Sequence, residues 1–177
     1  MNHQRKVVLF IATSLDGYIA TKNDSLDWLA KVEGEGDNGY SEFYETVDTI
    51  LMGRRTYDWI MKHVTGDFPY KSKECYVFSR TVNQDNQDVT FVTEDIVTFT
   101  NQLKKKEGKN IWLVGGGELL HSFFKEKVVD ELILTVAPSI LGKGIPLFKD
   151  GQDSVDLYLK DVRRFNQFIA LRYDVLQ

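Results

Sequence analysis

Three short stretches place glycine, arginine or a hydroxyl where a strand gives way to a helix. In Thr49-Ile50-Leu51-Met52-Gly53-Arg54-Arg55-Thr56-Tyr57 the β-rich run ends at Gly53, and Thr56 suits a helix N-cap. The free N–H groups of such a terminus favour an anion, and two adjacent guanidinium forks suit phosphate oxygens. A glycine turn with two solvated arginines fits the same residues. The second stretch is Asn110-Ile111-Trp112-Leu113-Val114-Gly115-Gly116-Gly117-Glu118-Leu119-Leu120. Its glycines let the main chain approach a ligand closely at a helix start, or let a strand and helix pack tightly. Leu119 and Leu120 exclude the G-x-G-x-x-G dinucleotide pattern, and no Gly-Lys-Ser/Thr follows. In the third stretch, Ser79, Arg80 and Thr81 follow the apolar run Cys75-Tyr76-Val77-Phe78. Three such turns on one sheet edge suit a ligand with several phosphates. Their arginines favour NADPH over NADH, because the extra 2′-phosphate needs cations.

The elements that must position these turns alternate along the chain. Residues 6 to 13 read as a strand buried on both faces. A turn-rich loop covers Ser14 to Asn23, and residues 24 to 39 are polar, with 33 to 39 reading as a mobile loop. Tyr40, Phe43, Tyr44 and Val47 stand at helical spacing. Strands are expected at Thr49–Gly53, Glu74–Ser79, Val89–Val92, Asn110–Val114 and Glu131–Ala137. Helices are expected at Thr56–Lys62, from Ile96 to near Gly108, and at Glu118–Lys125. Residues 155 to 175 read as a two-stranded ending, because Ile169, Leu171, Tyr173 and Val175 alternate. The alternation predicts an α/β fold: a mostly parallel sheet with helices on both faces and an antiparallel C-terminal edge. Ligands of such sheets bind at the carboxyl ends of the strands.

Composition narrows the function. At 177 residues the chain is expected to form a single domain over 1–177. A net charge of −4 argues against nucleic acid and anionic membranes as partners. Lys104 to Lys106 with Lys109 read as the cationic end of a helix. The single cysteine, Cys75, rules out an intrachain disulfide and reads as a buried thiol. His3, His63 and His121 share no ligand spacing, so no metal is expected. The Val7–Ala12 run is too brief for a leader and meets no cleavage pattern, so it reads as a core strand of a cytoplasmic protein.

Leu51-Met52-Gly53-Arg54-Arg55-Thr56-Tyr57 and Val114-Gly115-Gly116-Gly117-Glu118-Leu119 resemble the two signature turns of the dihydrofolate reductase superfamily. Ser14-Leu15-Asp16-Gly17-Tyr18-Ile19-Ala20 resembles the branch typified by the C-terminal reductase domain of bacterial riboflavin biosynthesis. The likeness spans nearly the whole chain in the same order, through Leu132-Ile133-Leu134-Thr135. It implies a three-layer fold with a sheet of about eight strands, and NADPH lying across their carboxyl ends. It further implies that the main chains of Ala12 and Ile19 meet the nicotinamide amide. Gly53, Arg54, Arg55 and Thr56 would hold phosphates, with Ser79 and Arg80 near the adenosine 2′-phosphate. Gly115, Gly116, Gly117, Glu118 and Leu119 would form the second phosphate-side turn, with a cis peptide between its first two glycines.

The resemblance leaves the proton donor open among Asp37, Asp27, Asp16 and water. Asp27 and Asp37 compete for the place of the acid that folate reductases carry before the Met-Gly turn, and Asp16 either shapes its turn or reacts. Trp28, Phe43 and Thr135 fall on the substrate side. The implied activity is an NADPH-dependent reductase acting on a pteridine- or pyrimidine-like heterocycle, most like 5-amino-6-(5-phosphoribosylamino)uracil reductase. A dihydrofolate reductase and a non-catalytic nucleotide-binding protein are the alternatives. A homodimer is expected, with Ile140, Leu147 and Phe148 on an apolar face.

Overall fold

The computed structural model describes residues 4–176, so His3 lies outside the described residues. The apolar run near the start forms β1 (Val7–Thr13). Strand alternation sends Val7 and Leu9 into one core cluster with Leu113, Leu120 and Phe123, and Val8 into another with Ile50, Met52 and Trp112. Both faces are therefore covered, which is why this strand reads as a continuous apolar run.

Seven further strands join β1 in one sheet. They are β3 (Val47–Gly53), β4 (Glu74–Phe78), β5 (Thr90–Val92), β6 (Asn110–Gly115), β7 (Glu131–Val136), β9 (Leu157–Phe165) and β10 (Phe168–Val175). Their order is β5-β4-β3-β6-β1-β7-β10-β9, parallel from β5 to β7, with β10 antiparallel to both β7 and β9. The short β2 (Tyr18–Ala20) and β8 (Ile145–Pro146) pair separately; neither carries enough residues to leave a pattern in the sequence.

Helices cover both faces. Phe43 of α2 (Tyr40–Tyr44) and Tyr57 and Ile60 of α3 (Arg54–His63) bury themselves with Val8. Leu103 of α4 (Ile96–Lys105) and Leu119, Leu120, Phe123 and Phe124 of α5 (Gly117–Lys125) do so with Val7 and Leu9. Lys104 and Lys105 occupy the last turn of α4. Cys75 is buried, and burial pushes its thiol up to about 12.

Three sequence expectations change. Gly53 is the N-cap of α3 in an extended conformation, so β3 runs straight into the helix. Thr56 then lies within the first turn rather than at its cap. Residues 24 to 39 contain the short α1 (Asp27–Ala30), and residues 33 to 39 are tied down. The Glu35 N–H donates to Asn38 Oδ1 at 2.9 Å, and the Gln167 N–H donates to the Glu33 carbonyl at 3.1 Å. Asp and Asn side chains replace the missing ladder partners there, a local effect that a reading of polarity alone overlooks. Leu147 is 3% exposed and packs in the core, whereas Ile140 and Phe148 are exposed. Among the described residues no helix is long and apolar enough to cross a membrane.

Candidate functional site

The register of the sheet assembles the site. Met52 pairs with Gly115 where β3 and β6 end, and Ala12 pairs with Thr135 where β1 and β7 end. The first turns of α3 and α5 are thus neighbours. A Cβ on Gly53 would stand 3.6 Å from the Leu119 Cβ and 3.8 Å from the Gly115 carbonyl. A Cβ on Gly116 would stand 3.1 Å from Thr56 Oγ1. Gly115 has φ +131°, a conformation that favours glycine, and its peptide to Gly116 is cis. Side chains here would fill the space between two helix N-termini, whose first N–H groups have no partner within the helix.

A cavity of about 330 Å³ opens at this point. It is lined by Ala12, Ile19, Arg55, Thr56, Gly115, Gly116 and Gly117, seven residues singled out from the sequence. A second cavity of about 520 Å³ is lined by Phe10, Ala12, Asp37, Thr135 and Phe168 among others. The two share Ala12, Leu26 and Leu29 as a common wall. Concave, mainly apolar spaces with a few convergent polar groups are the usual form of a small-molecule site.

The charged residues around the first cavity are held in defined places. Arg55 Nη2 donates to both oxygens of Asp24 at 2.9 Å, at the cavity wall. Arg54 lies further out. It donates to Asp58 Oδ1 at 2.8 Å and Asn83 Oδ1 at 2.6 Å, and its guanidinium lies 5.4 Å from the Phe91 ring centroid. Asn83 Nδ2 donates in turn to Ser79 Oγ at 3.0 Å, so Arg54 and Ser79 are linked through one amide. Arg80 is exposed and makes no hydrogen bond or ion pair with the described residues. Glu118 turns toward Lys149, whose hydrogen bond holds the carboxyl below its ordinary range. Its main chain remains in the first turn of α5.

The three candidate carboxylates occupy different places. Asp16 accepts from Ser14 Oγ at 2.6 Å and from the Leu141 and Gly142 N–H groups at 3.1 and 2.8 Å. It pins a loop and lines neither cavity; the Ser14 hydroxyl holds its carboxyl low. Asp27 is exposed in the first turn of α1 and also lines neither. Asp37 does line the second cavity. It accepts the Ser41 and Gly39 N–H groups at 2.8 and 3.1 Å, and hydrogen bonding from Ser41 holds its carboxyl low.

Thr135 lies in the second cavity, and its hydroxyl makes no hydrogen bond with the described residues. Phe43 and Trp28 stand behind the walls. Phe43 stacks on Phe10 with ring centroids 4.2 Å apart, and Trp28 packs against the cluster of Ala137, Phe165 and Phe168. The expectation that Trp28 and Phe43 face the substrate is therefore corrected: helical spacing finds Phe43 and the resemblance finds Trp28, but neither side chain lines the two cavities.

Leu26, Leu29, Trp59 and Tyr70 also line the first cavity, and the sequence reading gave none of them a role in the site. Trp59 was within reach of it, three residues after Thr56 on the same helix face. Tyr70 sits in an irregular loop with no periodic signal. Its ring meets Trp112 edge-on at 5.4 Å, and burial raises its phenol above the ordinary value.

Comparison with known proteins identifies the family and the fold. The sequence model of the RibD C-terminal domain family matches residues 5–171. The uncharacterized protein YwjB of Bacillus subtilis (strain 168) is 49% identical over 171 residues, covering 96% of this chain and 98% of that one. A crystal structure of a putative riboflavin biosynthesis protein from Shewanella sp. PV-4 is similar, with a TM-score of 0.87 and 34% identity over 97% of this chain and 99% of that one. Dihydrofolate reductase from Enterococcus faecalis, solved as a complex with NADP(H), superposes with a TM-score of 0.66 and 14% identity over 100% of each chain. That likeness establishes a shared α/β fold. With the family match spanning nearly all of its length, this chain belongs to the RibD C-terminal domain family.

Proposed function

We propose that the protein is an NADPH-dependent oxidoreductase that reduces a pyrimidine- or pteridine-like heterocycle. One observation carries this reading: two helix N-termini flank a glycine-lined cavity that shares the wall at Ala12 with a second cavity. The space that a Cβ on Gly116 would fill, against Thr56, fits a group that needs close main-chain approach. When bound, NADPH supplies the hydride. The N–H groups of the first turns at Gly53–Thr56 and Gly116–Leu119 bind phosphate oxygens. Arg54, Ser79 and Arg80 bind the 2′-phosphate, and the main chains of Ala12 and Ile19 orient the amide. Leu26, Leu29 and Trp59 exclude water, which strengthens every polar contact inside.

The carboxyl of Asp37 is held low, so at neutral pH it is ionised and carries no proton to donate. This favours water beside Thr135 as the proton source for the acceptor nitrogen. A non-catalytic nucleotide-binding role is supported by the same feature, since the one carboxylate lining the second cavity is exposed. The test is loss of NADPH absorbance on adding 5-amino-6-(5-phosphoribosylamino)uracil, its phosphate-free analogue, or dihydrofolate. Turnover with either pyrimidine supports the reading, and turnover with dihydrofolate alone makes the protein a dihydrofolate reductase. NADPH binding without turnover on any of them selects the non-catalytic role.

The same reading includes a homodimer in the cytoplasm. The edge strand β9 exposes Tyr158 and Val162, and Ile169 of β10 is exposed beside it. An unpaired edge with apolar side chains is a template for a second copy. Light scattering that returns 20.4 kDa at micromolar concentrations overturns the dimer.

A further inference from the structure

We propose that the heterocycle taken by the second cavity carries no phosphate group. The inference rests on the reductase reading and narrows its substrate class. The polar groups lining this cavity are the hydroxyl of Thr135, the amide of Asn38 and the carboxylate of Asp37; no lysine, arginine or histidine lines it. A bound phosphate dianion needs charge-assisted donors, and none is present.

The arginines of the adjoining cavities are already engaged. Arg163 and Arg172, in a cavity that shares Phe10 and Asn38 with this one, pair with Glu42 at 2.9 Å and Glu131 at 2.7 Å. Arg55 lines the first cavity, and Asp24 takes its guanidinium with both oxygens at 2.9 Å. Lys31 follows Ala30 in sequence, but it is exposed and does not line the space.

The mouth of the cavity is also acidic. Glu33-Gly34-Glu35-Gly36-Asp37 runs along it, with Gly34, Gly36 and Asp37 in its lining and Glu35 exposed. This loop is built into place. The Glu35 N–H donates to Asn38 Oδ1 at 2.9 Å, and a Cβ on Gly34 would collide with that same amide. Hydrogen bonds from Ser41 hold Asp37 as a carboxylate at neutral pH. These fixed negative charges repel a phosphorylated acceptor and leave a neutral one unaffected, and the repulsion weakens with salt.

The test is calorimetric titration of the full chain, alone and saturated with NADP+. The ligands are 5-amino-6-(5-phosphoribosylamino)uracil and its phosphate-free ribosylamino counterpart. The phosphate-free compound is expected to bind roughly 10-fold more tightly or better, a factor that corresponds to a single lost or repelled charge partner. The ratio is expected to fall as salt is added. It is also expected to shrink in a Glu35→Gln/Asp37→Asn variant, whose new amide oxygen still accepts the Ser41 N–H. Equal or tighter binding of the phosphorylated compound overturns the proposal, as does binding of neither. The titrations without cofactor keep this result separate from the reductase reading, which fails if NADPH does not bind.

Discussion

The two ends of one mostly parallel sheet are built on opposite terms. At the amino ends of the strands, charges are paired. Arg5 is 3% exposed and donates to Asp48 Oδ1 at 2.5 Å, Thr49 Oγ1 at 2.6 Å and the Lys109 and Leu103 carbonyls at 2.6 and 3.2 Å. Asp130 accepts the Val7 N–H at 2.7 Å and pairs with Lys104 at 2.6 Å. Glu131, also 3% exposed, pairs with Arg172 at 2.7 Å and Lys6 at 3.4 Å. At the carboxyl ends, the hydroxyls of Thr56, Thr135 and Tyr70 make no hydrogen bond with the described residues, and glycines leave space between two helices. The paired charges hold the amino ends of the strands in register, while at the carboxyl ends cavity-lining hydroxyls and glycine main chain are left without protein partners.

Breaking the saturated end should give the largest effect. Arg5→Met removes the hydrogen bonds to Asp48, Thr49, Leu103 and Lys109. It should cost about 3 kcal/mol, toward the low side for a buried ion pair because solvent reaches Asp48. Urea unfolding measures it, and NADPH affinity should stay near wild type once the protein is folded. At the other end, Gly116→Val pushes a side chain against Thr56. A side chain in the space of close main-chain approach should cost about 1.4–2.8 kcal/mol of binding, roughly a 10- to 100-fold loss of NADPH affinity. Here stability should change less than affinity, the reverse of Arg5→Met.

Within the carboxyl end, Arg54 and Arg80 differ in how far protein partners already engage them. Arg80 makes no hydrogen bond with the described residues, so Arg80→Ala should weaken NADPH by about 1.5 kcal/mol, roughly tenfold, and leave NADH unchanged. Arg54→Ala should cost less, because Asp58 and Asn83 already engage that guanidinium. Equal losses for NADPH and NADH would show that neither reads the 2′-phosphate.

The smallest effect is a pH dependence at the amino end. Lys160 and Lys6 hold the Asp174 carboxyl below its ordinary 3.8. A depressed folded value means its contribution is present above the unfolded value and is lost as pH falls through the folded one. Asp174→Asn should therefore lower the urea midpoint slightly at pH 7 and match wild type in strong acid.

The carboxyl end was far more legible in the sequence than the amino end. Gly53, Thr56 and Gly115–Gly117 sit where a strand pattern meets a helix pattern, and such turns mark themselves by residue type. Arg5 gave no sign, because its partners Asp48, Leu103 and Lys109 are distant in sequence and only the parallel register brings them together. Tyr70 was invisible for a related reason: an irregular loop carries no period. Phe43 stood out by helical spacing and Trp28 by the family resemblance, but neither signal gives which layer of side chains meets the cavity. Asp37 and Asp16 show the limit for polar groups, since each is spent on main-chain N–H groups that no residue spacing reveals.

On the proposed function, the carboxyl end of the sheet alone receives the cofactor. Backbone amide shifts of the isotopically labelled protein, followed during titration with NADP+, test it most directly. The predicted result is saturable movement at Ala12, Ile19, Arg54, Arg55, Thr56 and Gly116 to Leu119, with the amides of Val7, Thr49, Ile111 and Glu131 at the amino ends unmoved. Shifts centred on the amino ends, or none at saturating NADP+, would contradict it.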